Sequence, residues 1–127
     1  MSVVVDTSFL IDVLREHPAA VELLNDLIEE RETLISSMVV RTEVLAGVRG
    51  READRTLKLL SLIAWEPVTQ DVSDRAGALG QRHLQANPGI DTPNLLVAEV
   101  ALRHNARVVT TNVKHFKSLI PGVRAPY

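Results

Sequence analysis

Short apolar runs alternate with longer stretches of helical period along the whole chain. Val3-Val4-Val5 is short, β-branched and unbroken, and predicts a strand buried on both faces. Ser8 can cap a short helix over residues 9–14. Pro18 suits the first turn of a second helix, whose Val21, Leu24, Leu27 and Ile28 share one face. Thr33-Leu34-Ile35-Ser36 predicts a second strand, and Ser37 a cap for a helix from Met38 to about Gly47. Leu57, Leu60 and Ile63 recur in a fourth helix from Glu52 to Leu62, followed by a third strand, Ile63-Ala64-Trp65, closed by Pro67. Asp71 or Ser73 opens a long helix to about Ala86, which Asn87-Pro88-Gly89 ends. Thr92 caps and Pro93 opens a helix to His104. Arg107-Val108-Val109-Thr110 predicts a fourth strand, residues 114–119 a last helical turn or two, and Val123 a short edge strand.

Strands separated by helices imply parallel pairing, hence an α/β fold: a three-layer α/β/α sandwich on a mostly parallel sheet of four or five strands. No repeat or linker interrupts residues 1–127, which predicts one domain. In such folds the working site lies at the carboxyl ends of the strands. Asp6-Thr7-Ser8 follows the first strand, and the second leads into a helix carrying Glu43. Asp91-Thr92-Pro93-Asn94 opens a late helix, and Thr110-Thr111-Asn112 ends the fourth strand. The neighbours of Glu43 one turn away are Val39, Val40, Ala46 and Gly47, so it is expected on a buried face, where a carboxylate needs a partner or a metal. Clustered carboxylates raise one another's pKa, and a divalent cation relieves them and activates water against a phosphate. Each position also has a plainer use. Asp6 could cap the next turn, Glu43 could pair with Arg41, Arg49 or Arg103, Asp91 or Thr92 could cap a helix, and Asn112 could be a turn residue.

Composition narrows the chemistry. The chain has no cysteine, which excludes disulfides, thiolate zinc sites and cysteine nucleophiles. There is no nucleotide-binding glycine loop and no serine-hydrolase elbow. The four histidines are scattered and polar-flanked, and read as surface residues. No apolar run reaches membrane-span length and the N-terminus lacks a basic leader, so a cytoplasmic protein with no membrane association is expected. The net charge of −2 argues against binding nucleic acid by bulk positive charge, and four aromatic residues are too few for a base-stacking platform. Local basic groups remain: Arg49, Arg51 and Arg55 after the Glu43 helix, and Lys114, His115 and Lys117 after Asn112, could rim a site and contact phosphates.

Four segments in this order, residues 3–12, 37–47, 95–102 and 109–116, resemble the PIN-domain family, and more closely its VapC-type toxins. The resemblance runs from Val3 to about Pro126. It implies an Mg²⁺- or Mn²⁺-dependent endoribonuclease acting on RNA, with tRNA a candidate. It also implies a homodimer and inhibition by a cognate VapB-type antitoxin. Asp6 matches the first acid of the family and Glu43 the second. The third falls on Asn94, so this chain departs from the pattern there, and Asp91, one turn upstream, could lend its carboxylate instead. The metal ligands expected are thus Asp6, Asp91 and Asn94. Asn112 fills the fourth position. The departure leaves an alternative open, a weak or inactive PIN domain that binds RNA or an antitoxin. A phosphatase using an aspartyl nucleophile would need a second Asp where Ser8 stands.

Overall fold

The structure, a computed structural model, describes every residue except Leu84 and Asn87. The elements are β1 (Ser2–Val5), α1 (Thr7–Leu14), α2 (Pro18–Glu29), β2 (Thr33–Ser37), α3 (Met38–Ala46), a 3-10 turn (Gly50–Glu52), α4 (Ala53–Leu60), β3 (Ala64–Glu66), α5 (Gln70–His83), α6 (Thr92–His104), β4 (Arg107–Val109) and α7 (Val113–Phe116). The sheet order is β3-β2-β1-β4 and every pairing is parallel, with Val3 opposite Leu34 on one side and Arg107 on the other. β1 is central, so its three valines bury both faces and are almost fully enclosed. Helix α6 packs on β1, β2 and β4 and carries an apolar run, Leu96 to Ala101, broken only by Glu99. Phe9, Leu10, Leu27, Leu60 and Phe116 complete the core around the sheet. The architecture is the expected PIN-like α/β/α sandwich.

Local chemistry explains the boundaries. Ser37 caps α3 by accepting from the Val39 N–H, as its position predicts. The predicted caps Ser8 and Thr92 do not act as such. Helix α1 already begins at Thr7, with Asp6 at the N-cap, and α6 begins at Thr92, with Asp91 as the cap. In each case the acid one or two places upstream stands at the first extended residue before the helix. Helix α5 starts at Gln70, ahead of Asp71 and Ser73, because the Thr69 hydroxyl accepts from the Val72 N–H. Its expected end at about Ala86 is too late: the helix runs to His83 and Ala86 lies in a turn, while Asn87 lies outside the described residues. Of the predicted α2 face, Ile28 is exposed and Ala20 takes a core position instead. Helix α6 ends on Asn105 at φ 49°, a left-handed conformation asparagine tolerates, and the Ala106 N–H reaches back to the Ala101 carbonyl.

Val123 forms no strand, so the described sheet has four strands, with β4 at its edge. Its N–H turns back to the Ile120 carbonyl, as the flanking Pro121-Gly122 favours, and its side chain packs on the core.

Two glycines of α5 should respond in opposite directions. A Cβ on Gly80 would meet the Leu95 side chain of α6 at 2.8 Å, whereas one on Gly77 meets nothing within 4 Å. Gly77→Ala is expected to stabilise by about 0.5–1 kcal/mol through helix propensity. Gly80→Phe is expected to cost about 1–3 kcal/mol by prising α5 from α6. Urea denaturation checks both signs.

Candidate active site

Three turns meet at the carboxyl edge of the sheet. The first leaves β1 at Asp6, a residue only 3% exposed. The Thr110 hydroxyl donates to its Oδ2 at 2.7 Å, and the Ser8 hydroxyl approaches the same oxygen at 3.4 Å. The Asp6 N–H donates to the Val109 carbonyl, extending the β1–β4 pairing by one residue. Ser8 Oγ accepts from the Thr111 N–H, and Thr110 Oγ1 from the Asn112 N–H. The turns after β1 and β4 are thereby stitched around one acid. Burial pushes the Asp6 carboxyl above the usual carboxylate range, and the charge of Asp91 adds to that. Hydrogen bonds from Thr110, the Thr7 N–H and Ser8 offset it only in part.

The second and third contributions come from helices. Glu43 rises from α3 and accepts the Thr7 hydroxyl at 2.7 Å. It is exposed, contrary to the expectation of a buried face. Helix α3 buries Val40 and Val44, whereas Ala46 and Gly47 beside Glu43 are themselves at the surface. Apolar neighbours mark a core face only when the helix turns them inward, and here small residues line the open side. Nor is Glu43 salt-bridged among the described residues: Arg41 lies over the Trp65 ring and Arg103 pairs with Glu66. Asp91 caps α6 by accepting from the Asn94 N–H at 3.0 Å, so the capping reading holds, and the same residue lines the cleft. Asn94 is 8% exposed, in the first turn of α6, and Asn112 is the N-cap of α7.

Asp6, Glu43, Asp91, Asn94 and Asn112 line one cleft of about 310 Å³, with Thr7, Ser8, Ile11, Pro93 and His115. All five expected positions are brought together. A larger groove, about 600 Å³ along β4 and the C-terminal tail, holds no ionisable side chains but Arg107 and Arg124. His115 is half-buried in the cleft wall, in keeping with a basic group that rims the site and not with a surface histidine. The signal was its spacing, three residues beyond Asn112 on a helix that begins there. Of the other basic residues, Arg55 points away, bonded to Glu16 and the Leu14 carbonyl.

The donors are hard: carboxylates, amide oxygens and hydroxyls. That set suits Mg²⁺ or Mn²⁺. Among the described residues no three His, Asp or Glu side chains come together as a metal-holding group. Donors of this kind would suit a hydrated ion held by one or two carboxylates, the arrangement Mg²⁺ favours.

Known proteins resemble this chain in sequence and fold. The sequence profile of the PIN domain matches residues 3–119. Ribonuclease VapC19 of Mycobacterium tuberculosis is 38% identical over 123 residues, covering 97% of this chain and 98% of its own. A toxin–antitoxin complex from Klebsiella pneumoniae superposes with a TM-score of 0.78 at 27% identity, over 98% of both chains. VapBC2 from Rickettsia felis, solved with a DNA fragment from its promoter, superposes at 0.76 and 24% identity over 94% of this chain and 93% of its own, a likeness of fold. With four parallel strands in this order, and a match spanning nearly the whole sequence, the chain belongs to the PIN-domain family, in its VapC branch.

Proposed function

We propose that this chain is the toxin of a VapBC-type toxin–antitoxin pair: a metal-dependent endoribonuclease that hydrolyses RNA phosphodiester bonds at the cleft of Asp6, Glu43, Asp91, Asn94 and Asn112. One observation carries the reading. Those five side chains, far apart in sequence, line a single oxygen-rich cleft in a chain 38% identical to a ribonuclease. Asp6 and Asp91, with the Asn94 amide oxygen, would hold Mg²⁺ or Mn²⁺. When bound, such an ion lowers the pKa of water and offsets charge developing on phosphate. Thr110 and Ser8 hold the Asp6 carboxylate in one orientation. Glu43, fixed through one oxygen by Thr7, offers the other to take a proton from the attacking water. The Asn112 amide can donate to a non-bridging phosphate oxygen. Residues 1–127 act as one PIN domain in a cytoplasmic homodimer, with an RNA substrate, tRNA being a candidate. The partner is a VapB-type antitoxin, a reading supported by the likeness to a toxin–antitoxin complex. In keeping with that, no helix among the described residues is long and apolar enough to cross a membrane.

The test is incubation of the purified protein with total RNA. Cleavage is expected with Mg²⁺ or Mn²⁺ and none with chelator; equal cutting in chelator overturns the metal-dependent reading. Thr7→Val frees Glu43, and should lower kcat about tenfold, the worth of one charge-assisted hydrogen bond. KM for RNA should barely move, and a changed KM with intact kcat would assign Glu43 to binding. A second reading, a PIN domain that binds RNA or antitoxin without cutting, is favoured by Asn94 standing in place of an acid. Metal-loaded protein that binds RNA and leaves it intact would select it.

A further inference from the structure

We propose that a slot beside the cleft receives the base of a nucleotide flanking the cut, and that it favours a base bearing an exocyclic amino group. This rests on the nuclease reading above. The slot encloses about 220 Å³ between α1, the end of α3 and the 3-10 turn. Ile11, Leu14, Val44 and Val48 form its apolar walls, and Arg15, Arg49 and Glu52 supply its charge. Ile11 also lines the catalytic cleft, so the two depressions share a wall. An RNA strand with a phosphate in the cleft must place a neighbouring base nearby, and the slot is the adjoining apolar volume.

Its chemistry suits a nucleotide. No aromatic ring lines it, but guanidinium planes also stack on unstacked bases, and aliphatic walls exclude water from a base's faces. Among the described residues neither Arg15 nor Arg49 is in an ion pair, whereas Arg55 nearby is tied to Glu16 and the Leu14 carbonyl. Two cations against the single carboxylate of Glu52 leave the slot net positive, which favours a polyanion over an apolar peptide side chain. Glu52 can accept from the amino group of cytosine, adenine or guanine. Uracil would face it with a carbonyl, and that repulsion sets the preference.

Gly47 offers a way to fill the slot. It lies at φ −93°, open to any residue, and a Cβ there meets only ordinary contacts at 3.7 and 3.8 Å. Fluorescein-labelled ribo-oligonucleotides with an abasic site walked along them would be titrated onto the Asp6→Asn chain by anisotropy. One flanking position should lose about tenfold in affinity when abasic. Adding Gly47→Phe should cost about the same and erase that penalty. Glu52→Ala should abolish the difference between cytosine and uracil there. Cleavage of total RNA by the native chain is read in parallel. Cleavage together with unchanged RNA binding by a normally folded Gly47→Phe protein overturns this proposal alone. If that variant instead loses only a co-expressed protein partner, the slot belongs to a peptide. Neither cleavage nor binding by the native chain overturns the nuclease reading and this proposal together.

Discussion

Asp6→Asn is expected to abolish RNA cleavage while making the metal-free protein more stable. The loss should be about a thousandfold or more, because the change removes a charge that anchors the ion and with it several kcal/mol of charge stabilisation. The gain has a separate cause. Burial holds the Asp6 carboxyl above its unfolded value, so the folded state binds the proton more tightly than the unfolded chain does. The stability Asp6 contributes is therefore full below the ordinary carboxylate range and drains away as pH rises through its folded value. At neutral pH, above the ordinary carboxylate range, that raised affinity for the proton is a cost to the fold. Asparagine keeps an oxygen for Thr110 and Ser8 and removes the charge. A rise in Tm of about 4 °C at pH 7 in chelator is expected, shrinking as the pH is lowered into the carboxylate range. Thermal melts across pH check it; a variant that melts lower at neutral pH would show that Asp6 is structural.

Asn94→Asp should tighten Mg²⁺ and Mn²⁺ binding about 10–100-fold and raise cleavage at limiting metal. Affinity for hard cations follows the charge of the ligand set, and an amide offers one neutral oxygen where a carboxylate offers two charged ones. The position is 8% exposed and shares the cleft with Asp6 and Asp91. Without metal, a fourth carboxylate in the cleft repels those of Asp6, Glu43 and Asp91, so the variant should melt lower in chelator and regain stability on adding Mn²⁺. Calorimetric titration with Mn²⁺ decides the point: unchanged affinity means Asn94 is no ligand, and Asp91 carries that side of the site.

Most of the sheet was legible because β1 is buried on both faces and therefore reads as an unbroken apolar run. The parallel order followed from strands separated by helices, and the cleft followed from asking what comes after each strand. What the pattern could not carry was direction. Glu43 sits among apolar letters, yet α3 turns Ala46 and Gly47 outward while burying Val40, and nothing in a nine-residue helix announces which neighbours face solvent. His115 carried two readings, surface residue and rim of the site, and the placement of α7 in the cleft wall decides for the second. Val123 is β-branched, but Pro121 and Gly122 set its backbone before strand propensity can act.

The bond between Asp6 and Thr110 spans 104 positions of the chain. A ribosome adding roughly 5–20 residues per second exposes Asp6 and Glu43 seconds before the strand that completes their cleft. Until β4 docks against β1, the acid has no Thr110 to hold it and the cleft lacks Asn112 and His115. Non-local pairing of this kind is slow to form. A nascent chain without β4 therefore has an incomplete cleft, and the cut waits on that strand, which leaves an interval for an inhibitor to arrive.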